Sequence, residues 1–195
     1  GSSVLPLWKF STPEYKRHTV TCVSFIPGSP DLIVVGFGSY DYLKQGSGAV
    51  ACFSFKNPMT PEFLIPTDSG VTSVDPMQDK PHLLCVGFYD GSVAVYNLAT
   101  PDEASRAVPT HKSTALTGKH TDPVWQVKWQ PDDLDKRHNF LSVSADSLIR
   151  GWTMVKNELH YRDIIELEAA EVAADDEDME ATKYAGICFA FNPTQ

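Results

Sequence analysis

A short pattern that recurs along the chain limits its fold more than any other feature of the sequence. The pattern is a Val, two small or polar residues, a second Val, an aromatic residue two places on, and then Pro two places later. It occurs twice in full, as Val20-Thr-Cys-Val23-Ser-Phe25-Ile-Pro27 and Val124-Trp-Gln-Val127-Lys-Trp129-Gln-Pro131. A weaker copy has Val71, Val74 and Pro76, and a degraded copy near the end of the chain reads Gly186-Ile-Cys-Phe189-Ala-Phe191-Asn-Pro193. The copies begin 51, 53 and 62 residues apart, which indicates a repeated structural unit.

Each of the first three copies is followed by a predicted hairpin. In the middle copy an apolar stretch (82–88) and an alternating stretch (92–98) flank the turn Tyr89-Asp90-Gly91. Asp-Gly between two apolar strands is a strong hairpin signal, because glycine tolerates a positive φ angle. The third copy repeats this arrangement over 140–154, and in the first copy about six extra residues near 41–45 lengthen the turn.

Four short strands per unit predict a β-propeller. In the first unit they cover 20–25, 32–37, 48–55 and 61–66, and helical periodicity is nearly absent. We therefore predict an all-β propeller of about three four-stranded blades plus flanking strands, in a partial ring, because closure needs at least four blades. Within residues 1–195 the expected parts are an outer strand of a preceding blade (5–10), three blades (18–66, 70–115 and 118–166), an acidic loop (167–183) and the first strand of a next blade (184–195). We expect the chain to be part of a longer protein.

The charge of the chain is concentrated in one segment. The net charge is −9, which argues against a nucleic-acid groove. Eight acidic residues and no Lys or Arg lie between Glu166 and Glu180, so the rest of the chain is nearly neutral. Such a run is usually solvated and flexible, although its Ala and Glu content also allows a short exposed helix. No apolar run approaches the length of a membrane helix, and no leader sequence is evident.

The candidate metal and phosphate sites are weak. The four cysteines (Cys22, Cys52, Cys85 and Cys188) form no Cys-x-x-Cys pair, so we expect buried free thiols and no zinc or disulfide framework. The six histidines lack metal spacing, and hairpin turns explain the closely spaced glycines better than phosphate binding does. Asp132, Asp133 and Asp135 could hold Ca²⁺, but no complete calcium-loop motif is present, which favours a solvated loop. We expect no cofactor.

The third unit resembles a WD-repeat blade. His120 precedes its first strand, Ser142 and Ser144 lie on its second, Asp146 lies in the turn, and Trp152 lies on its third. In WD repeats such residues form a structural hydrogen-bond network, although here Thr153 replaces the Asp of the Trp-Asp pair. Asp90 and Tyr96 occupy the matching places in the second unit. His120, Ser144 and Asp146 are also the residue types of a hydrolase triad, but we favour the structural interpretation and predict that the protein is not an enzyme.

Longer stretches resemble the axonemal dynein intermediate chains, and the outer-arm type in particular. They are Leu5-Pro-Leu-Trp-Lys-Phe10, Val35-Gly-Phe-Gly-Ser-Tyr-Asp41, Val86-Gly-Phe-Tyr-Asp-Gly-Ser-Val93, the stretch 118–129, Asp132-Asp-Leu-Asp135 and the stretch 152–159. The likeness covers nearly the whole chain and is weakest over 99–107 and 167–182.

The resemblance implies a non-catalytic scaffold subunit of a ciliary or flagellar motor. Its propeller would bind the tail of a dynein heavy chain, within a complex that also holds a second intermediate chain and dynein light chains. It would reach the microtubule axoneme indirectly, with neither nucleic acid nor membrane as a partner. Light chains bind mainly before the propeller in this family, so their sites do not carry over to these residues. The alternative function is that of a generic WD-repeat adaptor that recruits a protein partner.

Partner binding is expected on the loops of the propeller. The turns near 40–45, 89–91 and 145–147 should share one face with the acidic run, and the turns at 78–81, 131–138 and 156–157 should lie on the other. The candidate contacts are Tyr40, Asp41, Tyr42, Leu43 and Lys44, since exposed aromatic residues are enriched at binding hot spots. The competing interpretation is a long hairpin turn with no binding role.

Overall fold

The computed structural model describes residues 19–38 and 47–166, which form three four-stranded antiparallel sheets. The first sheet contains β1 (Thr19–Ile26), β2 (Ser29–Gly38), β3 (Gly48–Ser54) and β4 (Phe63–Thr67). The second contains β5 (Val71–Pro76), β6 (Leu83–Phe88), β7 (Val93–Asn97) and β8 (His111–Lys112). The third contains β9 (Val124–Gln130), β10 (Asn139–Ser144), β11 (Leu148–Val155) and β12 (Glu158–Glu166). In each sheet the strands lie side by side in chain order.

This architecture confirms the predicted fold class, an all-β partial ring of about three four-stranded blades. The observed strands of the first sheet begin or end within two to three residues of the predicted ones. The predicted flanking strands (5–10 and 184–195), His18 and the acidic loop (167–183) lie outside the described residues.

Two apolar layers join the three sheets. Val34, Val50 and Ile65 of the first sheet pack in one cluster with residues of the second sheet that include Leu84 and Val86. A second cluster joins the second and third sheets and contains Cys85, Val93, Val95, Val124, Val127, Phe140, Trp152 and Leu159. Alternating side chains on each strand thus reach different layers, as expected for sheets buried on both faces.

The first strand of each sheet packs against the first strand of the next sheet. We call β1, β5 and β9 the inner strands. Thr21 on β1 donates its hydroxyl to the Val71 carbonyl at 2.6 Å, and the Val127 amide on β9 donates to Ser73 Oγ on β5 at 3.1 Å. Side-chain to backbone hydrogen bonds therefore connect neighbouring blades along the inner strands.

The second blade has a shortened outer strand. β8 covers only two residues, and the chain between β7 and β8 contains a one-turn helix, α1 (Glu103–Arg106). Asp102 caps this helix by accepting hydrogen bonds from the Ser105 amide at 2.8 Å and the Ser105 hydroxyl at 2.6 Å. The sequence periodicity did not indicate this helix. Across the described ranges, helices are too short and too polar to cross a membrane.

Candidate functional site

A buried chain of hydrogen bonds links two strands and a turn of the third sheet with the segment that precedes β9. His120 Nδ1 lies 2.8 Å from Asp146 Oδ2, and His120 Nε2 lies 2.7 Å from Ser142 Oγ. Trp152 Nε1 donates to the same Ser142 oxygen at 2.7 Å. His120, Ser142 and Trp152 have almost no exposed surface. We call these four residues the His120 network, and each of its buried polar atoms has a partner.

The donors and acceptors of the network fix its protonation. Because the Trp152 indole donates to Ser142 Oγ, the serine proton is free to point to His120 Nε2, which then accepts. Nδ1 therefore carries the imidazole hydrogen and donates it to Asp146. Burial lowers the pKa of His120, and the hydrogen bond and charge of Asp146 oppose this effect without cancelling it. His120 is therefore a neutral imidazole at pH 7, and its contact with Asp146 is a hydrogen bond donated by the ring, not an ion pair.

The predicted serine of the triad alternative does not reach the histidine. Ser144 Oγ contacts the carbonyl oxygens of Asp122 and Pro123, each at 2.9 Å. It connects the end of β10 to the segment before β9. Ser142, the serine that does contact His120, is fully buried, whereas a nucleophile must be reachable by its substrate. The arrangement ties strands together and exposes no nucleophile.

The second blade uses different contacts at the matching positions. Asp90 accepts from the Ser92 hydroxyl at 2.5 Å and the Ser92 amide at 2.9 Å, and it forms an ion pair with Lys119 at 3.4 Å. Burial would raise the pKa of Asp90, but the bonds to Ser92 and the charge of Lys119 outweigh it and lower that pKa. Tyr96 is buried in the layer between the first two sheets, and burial raises its pKa to about 12. Asp90 therefore organises its turn, while Tyr96 fills the core.

The β6–β7 and β10–β11 hairpin turns lie at one end of the sheets. The Tyr89 amide donates to the Gly70 carbonyl, the His120 amide to the Gly91 carbonyl, and the Ala145 amide to the Pro123 carbonyl. We call this end the turn face. At the other end Lys80 Nζ lies 3.3 Å from His138 Nε2, which brings the β5–β6 turn close to the loop 131–138. The proposed contact residues Tyr40, Asp41, Tyr42, Leu43 and Lys44 lie outside the described residues.

Basic side chains hold the aspartates of the loop 131–138, which follows β9. Asp133 accepts from the amide and from Nε of Arg137, both at 2.9 Å, while Asp135 pairs with Arg137 Nη2 and Asp132 with His138. These carboxylates do not converge on a shared centre. Within 19–38 and 47–166, no group of three or more His, Cys, Asp or Glu residues is placed to hold a metal ion.

The described cysteines are free thiols. Cys52 and Cys85 are buried and Cys22 is partly buried. Burial raises the pKa of Cys22 and Cys52 to about 11 and raises that of Cys85 well above its ordinary value. Cys188 lies outside the described residues. At pH 7 these three thiols are protonated and poorly reactive.

Sequence reasoning missed a contact between the second and third blades. Asp75 Oδ2 accepts from the Trp129 amide at 2.8 Å, and the Asp75 carbonyl accepts from the Trp129 indole at 2.7 Å. Burial is the main influence on Asp75 and raises its pKa to about 6, although the Trp129 amide and Lys128 oppose the change. Aligning the repeats would have pointed to Asp75, because the equivalent residues of the other described copies, Ser24 and Lys128, are not acidic.

We predict that Asp75→Asn stabilises the protein at pH 7.5 by about 2–3 kcal/mol. The folded-state pKa lies above the ordinary value of 3.8, so the contribution of Asp75 to wild-type stability should fall as the pH rises from about 4 to about 6, while the lowered pKa of His120 acts in the opposite sense in both proteins. Asn keeps an acceptor for the Trp129 amide and has no proton to lose, so this fall should disappear. Urea unfolding across this pH range tests the prediction, with exposed Asp79→Asn as the control. A less stable variant with an unchanged pH profile would contradict it.

Comparison with known proteins shows relatives along nearly the whole chain. It is 49% identical over 192 residues to "Dynein intermediate chain 2, ciliary" from Heliocidaris crassispina, covering 97% of this chain and 27% of that protein. It is 48% identical over 166 residues to "Dynein axonemal intermediate chain 1" from Rattus norvegicus, covering 85% and 23%. The chain is a homologue of the axonemal dynein intermediate chains. The predicted resemblance is therefore confirmed, and this homologue spans about a quarter of the length of the curated relatives it matches.

Other comparisons agree with this homology and with the fold. "Dynein, 78 kDa intermediate chain, flagellar outer arm" from Chlamydomonas reinhardtii is 40% identical over 188 residues, which cover 95% of this chain and 27% of that one. Among solved structures, the β-propeller domain of Cps50 from Myceliophteria thermophila matches with a TM-score of 0.56 at 14% identity, covering 80% of this dynein homologue and 42% of that chain. No protein-family model matches.

Proposed function

We propose that this chain forms part of the propeller of a non-catalytic scaffold subunit of an axonemal outer-arm dynein. The observation that carries the proposal is 40–49% identity to ciliary and flagellar dynein intermediate chains over nearly the whole chain. The protein would act in the cilium or flagellum axoneme, within the cytoskeleton. Its propeller would bind the heavy-chain tail and support microtubule-based motility, alongside a second intermediate chain and light chains.

The geometry supports a scaffold more than an enzyme. The residue types of a hydrolase triad are present, but the serine that contacts His120 is buried and bonded to the Trp152 indole. Its network connects strands to a turn. A rigid stack of sheets that carries its loops at two ends suits the presentation of partner-binding surfaces. A generic WD-repeat adaptor remains the second candidate, supported by the propeller fold alone.

Co-purification tests the proposed role. The protein is tagged at its natural length in ciliated cells, and the proteins that accompany it from an axonemal salt extract are identified. Stoichiometric dynein heavy chain would support the scaffold proposal. Good expression of the tagged protein without any heavy chain would contradict it and favour the adaptor.

For the docking surface we propose the segment between β2 and β3, with Tyr40 and Tyr42 as anchors. Tyr40→Ala combined with Tyr42→Ala should reduce the heavy chain recovered from the extract about tenfold or more, because truncating aromatic hot spots removes much of the binding free energy. The control is Leu134→Ala, a fully exposed apolar side chain on the loop at the other end of the sheets. It should leave heavy-chain recovery unchanged. Equal recovery with all variants would contradict this docking surface without affecting the scaffold proposal.

A further inference from the structure

The third sheet has one apolar face that no described strand covers. Its side chains alternate between the layer shared with the second sheet and the opposite side, which we call the outer face. Leu141, Val143 and Ile149 form a cluster there, with Ile164 and Ile165 packed against it. A cavity of about 490 Å³ opens beside them and is lined by Leu141, Gly151 and Ile164 among others. Leu141, Val143 and Ile149 are each at most 4% exposed, so this face belongs to the interior of the protein although no described strand packs on it.

The two described blade interfaces share a rule for packing valine on glycine. Val71 starts the second inner strand and packs on Gly36, where an added Cβ would lie 2.6 Å from Val71 Cγ1. Val124 starts the third inner strand and packs on Gly87, where an added Cβ would lie 2.7 Å from Val124 Cγ1. Each glycine therefore makes room for the first valine of the next inner strand.

A hydrogen bond also joins the second and third inner strands. Ser73, two residues after the first valine of its strand, accepts with Oγ from the Val127 amide at 3.1 Å. The donor is the second valine of the repeated pattern on the next strand. Cys22 holds the corresponding place on the first inner strand, and the Val74 backbone lowers the pKa of its thiol against the effect of burial.

The outer face of the third sheet differs from the other two interfaces in two ways: it has a valine where they have a glycine, and one of its buried side-chain oxygens has no hydrogen-bond partner. Val143 pairs with Gln126 and stands where Gly36 and Gly87 stand in the other sheets. Gln126 occupies the place of Cys22 and Ser73, and its Oε1 is buried without a hydrogen-bond partner. In the next copy of the pattern, Gly186 stands where Val71 and Val124 stand. The sheet position thus changes from glycine to valine, and the facing position on the next inner strand changes from valine to glycine.

We propose that residues 186–193 form the next inner strand and seat on this outer face, with Gly186 against Val143 and the Phe189 amide donating to Gln126 Oε1. The exchange of Val and Gly preserves the volume of the contact, and core packing tolerates volume-conserving changes best. The donor satisfies a buried oxygen that is otherwise unpaired. Nineteen residues separate the end of β12 from Gly186, enough to cross a sheet. This inference does not depend on the dynein role.

A size-swap experiment tests the predicted register. It uses the protein at its natural length and measures amide hydrogen exchange at 187–191. Gly186→Val should accelerate exchange there about tenfold or more, because two valines cannot share the space of one. Val143→Gly combined with Gly186→Val restores the pairing seen in the other interfaces and should return exchange to within about threefold of wild type. Gln126→Ala should accelerate exchange at Phe189 in particular.

A matched pair of variants in a described interface calibrates the readout. Gly87→Val should accelerate exchange along β9, and Val124→Gly in addition should reverse the effect. Suppose that Val124→Gly reverses the faster exchange caused by Gly87→Val, but that Val143→Gly does not reverse the faster exchange caused by Gly186→Val. The proposed register would then be wrong. Unprotected amide exchange at 186–193 in the wild type would overturn the proposal as well. If β10 and β11 were protected in that case, another strand, from elsewhere in the protein or from a second copy, would cover the outer face.

Discussion

Replacing Trp152 with Ala should destabilise the protein by about 3–5 kcal/mol, the range for a large side chain removed from a well-packed core. Trp152 has no exposed surface, stacks near Phe140 at a ring separation of 6.2 Å, and contacts Tyr161. Its indole also donates to Ser142 Oγ. The substitution therefore creates a cavity between two blades and removes one of the contacts that orient the His120 network. The unfolding midpoint in urea, followed by circular dichroism, measures the loss.

Two other substitutions separate burial from residue type. Trp125 is a tryptophan on β9 with about half of its surface exposed, and Trp125→Ala should change stability by less than about 1 kcal/mol. Trp152→Phe retains an aromatic ring but removes the indole N–H, so its effect should fall between those of the two alanine variants. Similar losses at Trp125 and Trp152 would refute the structural role assigned to the buried residue.

The His120 network shows what a local sequence pattern predicts well. His120, Ser142, Asp146 and Trp152 could be picked out because their types and spacing match a WD-repeat blade, and the fold brings these four into contact. The alternation of apolar and polar residues likewise gave the strands to within a few residues. Both signals are short-range, since strand periodicity and hairpin turns depend on neighbours in the chain.

Contacts between blades were harder to predict. Nothing local to Asp75 indicates that its partner is the Trp129 amide, because a backbone donor leaves no trace in residue identity. Within the third blade, Ser144 was placed correctly on its strand, yet its partners are the backbone carbonyl oxygens of Asp122 and Pro123, which residue types do not reveal. The one-turn helix α1 was also missed, because four residues carry too little periodicity for detection. Long-range backbone contacts require the relative placement of the sheets.

Comparing equivalent positions across repeats recovers part of this information. Gly36, Gly87 and Val143 occupy one such position, and the residues that pack or should pack on them are Val71, Val124 and Gly186. A change of size at one position is meaningful when the neighbouring blade changes in the opposite sense. Repeat proteins therefore hold evidence about their interfaces within a single sequence, once one interface has been described.

Gly91→Ala should be nearly as damaging as the loss of Trp152, with an expected cost of about 3 kcal/mol or more. Gly91 has a φ angle of +89°, which L side chains rarely adopt. A Cβ there would collide with the His120 carbonyl and lie 2.8 Å from the Asp122 carbonyl. Both obstacles are backbone atoms of the segment that leads into β9. The turn would have to move away, which would break the bond from the His120 amide to the Gly91 carbonyl.

Gly28 separates the two causes of this loss. It also has a positive φ angle, +77°, but an added Cβ would meet nothing within 4 Å. Gly28→Ala should therefore cost only the backbone strain of about 1–2 kcal/mol. Urea unfolding gives the free energy lost in each variant. The difference between the two losses measures the cost of the clash between an added Cβ at Gly91 and the backbone before β9. Equal losses would mean that strain alone matters and that the contact between Gly91 and His120 adds nothing to stability.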